Sequence, residues 1–215
     1  YRFFMSEQKQ DFLFNRETQD GYFPPSVSEV AKGHSQKDIK EYFHIYPWGR
    51  IPPSLKDDAM QYYGLANGLA AELLSWVEQH TPADIAKNYR EPLSNMIKDS
   101  SQTLLRVLRY PPLRGDEPEG ALRAAAHGDI NLLTVLPAAN EPGLQVQGFD
   151  GVWRDVPCDF GALVINIGDM LQEASGGYYP STPHRVVNPT GEGRFKSRIS
   201  LPLFLHARPD VRLSE

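Results

Sequence analysis

The sequence predicts a mainly β protein with helices (α+β): an antiparallel double-stranded β-helix, or jelly roll, braced by a helical layer. Three observations predict it. The run from Ser54 to His80 carries apolar residues at steps of three or four, the period of an amphipathic helix. After Ser101 the texture changes to short apolar runs separated by turn residues, the pattern of a sandwich or barrel. No segment repeats another and none is of low complexity, so the 215 residues read as one domain, 1–215, with a mostly helical support (1–100) and a jelly-roll core (101–207).

Each element has its own signal. "SEQKQDFLF" opens with a candidate cap at Ser6, and Gly21 with Pro24 and Pro25 ends any helix there. The long helix lines up Leu55, Ala59 or Met60, Tyr62, Leu65, Leu69, Leu73 and Trp76, and its aromatics Tyr62, Tyr63 and Trp76 are expected in the core. Thr81, Pro82 and Asp84 read as cap, first-turn proline and third-position acid of a further helix through "ADIAKNYREPLSNMI", broken before Pro92. The strands follow as "TLLRVLRY", "NLLTVLPA", "GLQVQ", "GVWRDVP", "ALVINIG", "HRVVN" and "RISLPLFLHA". "QVQGFDGVWRDV" is the clearest hairpin, with Trp153 as its anchor.

Composition excludes several roles. The net charge is -5 and the 22 Lys and Arg are scattered, so no basic stripe attracts a phosphate backbone and nucleic acid is not an expected partner. A single Cys158 rules out an intrachain disulfide framework and a multi-thiolate zinc site; it is expected to pack as a small apolar residue. Cysteine usage suits a reducing compartment, and no apolar run is long enough to cross a bilayer. The start lacks the order of a signal peptide, so a cytoplasmic chain without a membrane partner is expected; the oligomeric state is open.

The chemistry-bearing residues begin with "AAAHGDINLLTVL". His127 and Asp129 stand two apart at the mouth of an apolar run, and in a strand residues i and i+2 share a face. An H-x-D pair alone is a weak signal. Its weight depends on a third ligand from a distant strand, because two His and one carboxylate on one face suit a divalent iron with open positions. His34 and His44 lie in a polar region, His80 at a helix end and His206 near the end of the chain. His184 enters a strand after a Gly-rich turn. Beyond it, Arg198 and Ser200 occupy one face of an apolar strand, where a guanidinium fork beside a hydroxyl suits a carboxylate. Arg212 and Ser214 repeat the spacing in a polar tail and are set aside. Asp169 and Glu173 read as capping or surface carboxylates.

With these residues in view, the chain resembles the isopenicillin N synthase-like branch of the iron(II) and 2-oxoglutarate-dependent oxygenases. The resembling segments are "HGDINLLTVL", "PGLQVQGFDGVWRDVP", "LVINIGDMLQEASGGYYPSTPHRVVNP" and "RISLPLF", joined by "DGYFPP" and "LRYPPL". The resemblance implies that His127, Asp129 and His184 hold iron(II) and that Arg198 and Ser200 bind the distal carboxylate of 2-oxoglutarate. It also implies that Tyr110 helps hold that co-substrate and that Phe204 lines the pocket. Leu108 departs from the pattern, standing where relatives often have Asn. The resemblance further implies that first strands are missing before Tyr1 and that a closing segment is missing after the short tail that follows Phe204.

The implied activity couples oxidative decarboxylation of 2-oxoglutarate, with O2 and with ascorbate as an optional reductant, to hydroxylation or desaturation of a small organic molecule. Two rivals remain at this stage. An iron oxidase of the isopenicillin N synthase or aminocyclopropanecarboxylate oxidase type would dispense with 2-oxoglutarate. A non-redox metal-binding jelly roll would bind metal without oxygen-dependent turnover.

Overall fold

The structure, a computed structural model, describes residues 1–28, 30 and 35–214. Its helices are α1 (Arg2–Met5), α2 (Pro53–His80), α3 (Ala83–Ala86), α4 (Leu93–Met96) and α5 (Asp169–Ala174). Its strands are β1 (Gly21–Phe23), β2 (Glu41–Ile45), β3 (Leu104–Tyr110), β4 (Ala124–His127), β5 (Leu133–Pro137) and β6 (Leu144–Gln147). They continue as β7 (Trp153–Asp155), β8 (Leu163–Ile167), β9 (His184–Val186), β10 (Arg198–Ser200) and β11 (Leu203–Leu205).

Two antiparallel sheets form the expected jelly-roll arrangement. The larger has the order β1-β2-β3-β11-β5-β8 with β10 also paired to β3; the smaller runs β4-β9-β6-β7. Period-2 alternation sorts the larger sheet's side chains between two destinations. Leu105 and Val107 of β3, Leu133 and Val135 of β5, and Leu203 and Leu205 of β11 join the cluster that also takes Ala66, Ala70 and Leu74 of α2. The alternate residues, Leu104, Arg106, Leu108 and Tyr110 on β3, Thr134 and Leu136 on β5 and Phe204 on β11, line a cavity. Every second residue of these strands therefore builds the site, while its neighbours hold the sheet against α2.

The long helix starts one residue before the expected Ser54, at Pro53, and ends at His80. Its buried residues are Tyr63, Ala66, Ala70 and Leu74, with Tyr62 packed beside them. Trp76 is instead 52% exposed and Leu65 70% exposed, because the small Ala66 and Ala70 let the helix approach closely on a face rotated from the one the large residues mark. Thr81 does not cap a following helix: its hydroxyl donates to the carbonyl of Val77 and closes α2. The expected helix after it reduces to the single turns α3 and α4, each preceded by a proline that supplies no side-chain cap. At the start, Ser6 precedes a short 3-10 segment, Glu7–Phe12, and its hydroxyl donates backwards to Phe3 O.

The helical description of the first hundred residues needs a correction. β1 and β2 lie there and extend the larger sheet, β2 pairing with β3 through Tyr42↔Leu108 and His44↔Arg106. The run "EYFHI" alternates, but both of its faces are buried, so the polar face that usually betrays a strand is missing. "RISLPLFLHA" is likewise two strands, β10 and β11, interrupted at Leu201 and Pro202. The hairpin β6-β7 forms as expected, and Trp153 stacks under the guanidinium of Arg185, 4.2 Å from the ring centroid.

Candidate metal centre and its pocket

The expected strand carrying both His127 and Asp129 is not one strand. β4 ends at His127 in the smaller sheet, the chain turns through Gly128 and Asp129, and the apolar run resumes as β5 in the larger sheet. The turn needs a small residue, since a Cβ on Gly128 would lie 2.9 Å from Ser181 Oγ and 3.1 Å from Asp169 Oδ1. It is fastened by the amide of Asp169, which donates to Asp129 O at 2.7 Å. Asp38, buried in the cavity wall, pins β4 by accepting the Ala125 amide at 2.9 Å while paired with Lys40 at 2.8 Å.

His184 arrives from β9 as the direct cross-strand partner of His127, the ring centroids 4.4 Å apart. Each Nδ1 faces a backbone carbonyl, Ala125 O at 2.7 Å for His127 and Thr182 O at 3.1 Å for His184. A carbonyl only accepts, so each Nδ1 carries the proton and each Nε2 presents a lone pair, the tautomer a metal ligand requires. Asp129 is oriented the same way. Its Oδ2 accepts from Thr134 Oγ1 at 2.6 Å and Asn166 Nδ2 at 2.8 Å, while Oδ1 lies 3.6 Å from His184 Nε2. One ligand atom from each of the three residues lies within 4.8 Å of the others.

Electrostatics favour the ligand forms. Burial, reinforced by His184, pushes His127 below the ordinary histidine value and keeps it neutral. Burial opposes ionisation of Asp129, yet His184, the Thr134 and Asn166 hydrogen bonds and His127 together outweigh it and hold the carboxyl below its ordinary value. Two imidazoles and one carboxylate at this spacing fit a divalent iron and leave part of its coordination sphere open.

The cavity beside them has a volume of about 500 Å³. At one end, β10 sets Arg198 opposite Tyr110 and Ser200 opposite Leu108. Arg198 is 2% exposed, donates from Nε to Glu141 O at 3.0 Å and lies over the Tyr110 ring, its Cζ 5.4 Å from the centroid. Among the described residues, its buried Nη1 has no hydrogen-bond partner. An orphaned, charged donor in a buried cavity costs about 1 to 3 kcal/mol, which an entering carboxylate would recover. The site thus fits the co-substrate as well as the metal. Burial also pushes Arg198 below its ordinary value, and Arg123, buried close by, donates to Lys196 O at 2.7 Å. Leu108 is buried in the apolar cluster with Phe23, Tyr42 and Leu144, so its side is dry where an Asn would be polar.

All seven residues singled out from sequence line this one cavity or its wall: His127, Asp129, His184, Tyr110, Arg198, Ser200 and Phe204. Sequence reasoning passed over others that join them. His44, Arg106, Thr134, Asn166 and His206 also face the cavity. Alternation along "LLRVLRY" could have found Arg106, which shares parity with Tyr110, and a lone Asn in "LVINI" could have marked Asn166. His34 lies outside the described residues. His80 is exposed at the end of α2, and Asp169 and Glu173 are exposed on α5, as expected.

Two antiparallel sheets with two His and one Asp lining the cavity form the arrangement expected of a metal-dependent jelly-roll oxygenase. Comparison with known proteins agrees. The sequence profile of the 2OG-Fe(II) oxygenase superfamily matches residues 101–207. A candidate oxygenase from Shewanella oneidensis has a solved structure with 62% sequence identity and a TM-score of 0.87, covering all of this chain and 76% of that one. A candidate 2OG-Fe(II) oxygenase family protein from Caulobacter crescentus gives 33% identity and a TM-score of 0.76, over 97% of this chain and 71% of that one. A bi-functional coumaroyl CoA and feruloyl CoA ortho-hydroxylase of Ipomoea batatas is 30% identical across 98% of this chain and 58% of its own length. The chain belongs to the 2OG-Fe(II) oxygenase superfamily. It spans 58% of the length of the first curated relatives it matches. Among the described residues, no helix is long and apolar enough to cross a membrane.

Proposed function

We propose that this chain is a 2-oxoglutarate-dependent iron(II) dioxygenase that hydroxylates or desaturates a small organic molecule. Its chemistry resides in 101–207, with 1–100 as support. His127, Asp129 and His184 hold the iron; Arg198 and Ser200 take the distal carboxylate of 2-oxoglutarate, and Tyr110 and Phe204 shape the space around it. Bound iron, with 2-oxoglutarate and O2, would supply the oxidising power. The protein's residues do the rest. Thr134 and Asn166 aim one oxygen of Asp129 at the metal, the two backbone carbonyls fix the histidine tautomers, and the apolar Leu108, Leu136, Leu144 and Val186 keep water from the co-substrate. The observation that carries the reading is the buried Nη1 of Arg198, a charged donor that meets no acceptor among the described residues, in the cavity that the three ligand side chains also line.

The test is an anaerobic titration with iron(II) and then 2-oxoglutarate, with zinc as control. A weak visible charge-transfer band of the chelated keto acid is expected, and it is lost in His127→Ala. Iron binding without the band favours the oxidase reading. Retained turnover in both His127→Ala and His184→Ala refutes the ligand set, and unchanged 2-oxoglutarate affinity in Arg198→Ala refutes that residue's role.

A further inference from the structure

The two ends of the site stand on different sheets. His127 on β4 and His184 on β9 belong to the smaller sheet, whereas Tyr110 on β3 and Arg198 and Ser200 on β10 belong to the larger. A keto diacid that chelates the metal and reaches Arg198 therefore spans from one sheet to the other, and its fit depends on how firmly their separation is held. The sequence dictates a weak point at the Arg198 end. The ladder between β3 and β10 stops at the Tyr110↔Arg198 pair, and the next two residues on the β3 side, Pro111 and Pro112, have no N–H to carry it on.

Arg123 fills that gap. It immediately precedes β4, four residues before His127, and is 1% exposed. Its Nη2 donates to Pro111 O at 3.3 Å and to Lys196 O at 2.7 Å, one carbonyl just beyond β3 and one on the approach to β10. Its backbone is fastened on the side of the smaller sheet. The Arg123 amide donates to Asn188 Oδ1 at 2.9 Å, and Asn188 Nδ2, two residues past β9, donates to Ala121 O at 2.7 Å. One residue thus ties the strands of both histidine ligands to the strand ends that carry Tyr110 and Arg198.

Stability alone does not account for a guanidinium here. Its buried Nε meets no hydrogen-bond partner among the described residues, and Glu141, an acid whose charge reaches it, pairs with Lys196 at 3.5 Å. Burial, and then the charge of Arg198, push Arg123 below its ordinary value, so the two cations disfavour each other until an anion enters. An apolar residue of similar volume would avoid both costs.

We propose that Arg123 is a positioning residue that sets the span between the metal ligands and Arg198, and that it thereby makes the site select a five-carbon keto diacid over its six-carbon homologue. It acts through Arg198 and β4 rather than by touching the co-substrate. The proposal rests on the dioxygenase reading, which assigns the Arg198 end to the co-substrate.

The probes are 2-oxoglutarate, its longer homologue 2-oxoadipate, and 2-oxopentanoate, which has the keto acid end but no distal carboxylate. Binding is read by calorimetry on the zinc-loaded chain and by the anaerobic iron charge-transfer band. The unmutated chain is expected to bind 2-oxoglutarate about tenfold or more tightly than 2-oxoadipate, the scale of a well-placed charge-assisted contact. In Arg123→Met, which keeps an apolar stem and removes the donors, that preference falls below about threefold, while affinity for 2-oxopentanoate stays within about twofold. Arg123→Lys keeps the charge but loses the planar fork, and restores the preference only in part. Thermal unfolding and zinc affinity show that a variant is folded; where the Met variant does not fold, the Lys variant carries the test.

A length preference that survives in both variants overturns the proposal. Full restoration by Lys does so too, since charge alone would then suffice, and so does an equal loss of 2-oxoglutarate and 2-oxopentanoate, the sign of a general loosening. An unmutated chain that binds both diacids equally overturns this proposal and leaves the dioxygenase reading standing, whereas one that binds no keto acid strikes that reading and this proposal with it.

Discussion

Removing the Thr134 hydroxyl tests whether Asp129 is held as a one-oxygen ligand. Thr134→Val keeps the side-chain shape and deletes one of the two donors on Oδ2, the one at 2.6 Å. Thr134 is 2% exposed and Asp129 7% exposed, so no water replaces it easily. A hydrogen bond to a buried charge contributes about 1.5 to 3 kcal/mol. Expressed wholly in the metal-bound state, that is about a ten- to hundredfold loss of iron affinity, the range known for groups that orient metal ligands. Asn131 Nδ2 also loses its contact with Thr134 Oγ1 but keeps Leu133 O at 2.8 Å, which limits collateral damage.

The assay is anaerobic competition for iron(II) against a chromophoric chelator, with thermal unfolding of the metal-free chain run alongside. Thr134→Ser restores the donor and is expected to restore most of the affinity. A second sign follows from the protonation equilibrium: with one donor gone, the Asp129 carboxyl rises toward its ordinary value, protons compete better, and metal is lost at a higher pH on acidification. Iron affinity within about twofold of the unmutated chain, or a Ser variant as weak as the Val variant, would refute the orientation argument.

Three further outcomes are expected. Gly168→Ala puts a Cβ against the carbonyl of Asn131, two residues from Asp129, so it is expected to destabilise the fold by about 1 to 3 kcal/mol and weaken metal binding; full metal affinity would show that this turn can shift freely. Burial, aided by Arg106, pushes His206 below the ordinary value of 6.5. Between that value and the lower folded one the unfolded chain binds more protons, so stability of the metal-free chain falls as pH falls below about 6.5; His206→Gln is expected to flatten the slope, and an unchanged slope in thermal melts would remove His206 from the account. Leu74→Ala, at a fully buried position where α2 meets the larger sheet, is expected to cost about 2 to 5 kcal/mol by chemical denaturation, and a loss below 1 kcal/mol would mean the helix is not bracing the sheet.

The fold was legible where one period dominated. Strands β3, β5 and β11 alternate because one face joins the core with α2 and the other lines a cavity, and the long helix keeps its period over many turns. Legibility failed where burial erased the contrast. β2 is buried on both faces, and its residues therefore gave no polar face to detect. On α2 the buried stripe runs through Ala66 and Ala70, small residues that hydrophobicity ranks below Leu65 and Trp76 although close packing prefers them. Thr81 and Pro82 carry the residue types of a helix start, but the threonine hydroxyl found the carbonyl of the helix already behind it.

The site divides along a different line. His127, Asp129 and His184 could be selected because their chemistry is unusual at a strand end, and Arg198 because an unpaired charge in an apolar strand demands an explanation. What selected them says nothing about orientation. That is set by Ala125 O, Thr182 O, Thr134 and Asn166, two of them backbone groups with no sequence signature at all. Arg106 and His206 escaped for a related reason: neither stands out by type, and only the register of β3 and β11 places both on the cavity wall. Residues that perform chemistry are conspicuous by type, whereas residues that aim the chemistry acquire their meaning only from strand register. Shifting β11 by one residue against β5 would turn Phe204 and His206 to the helix side and leave every metal ligand in place.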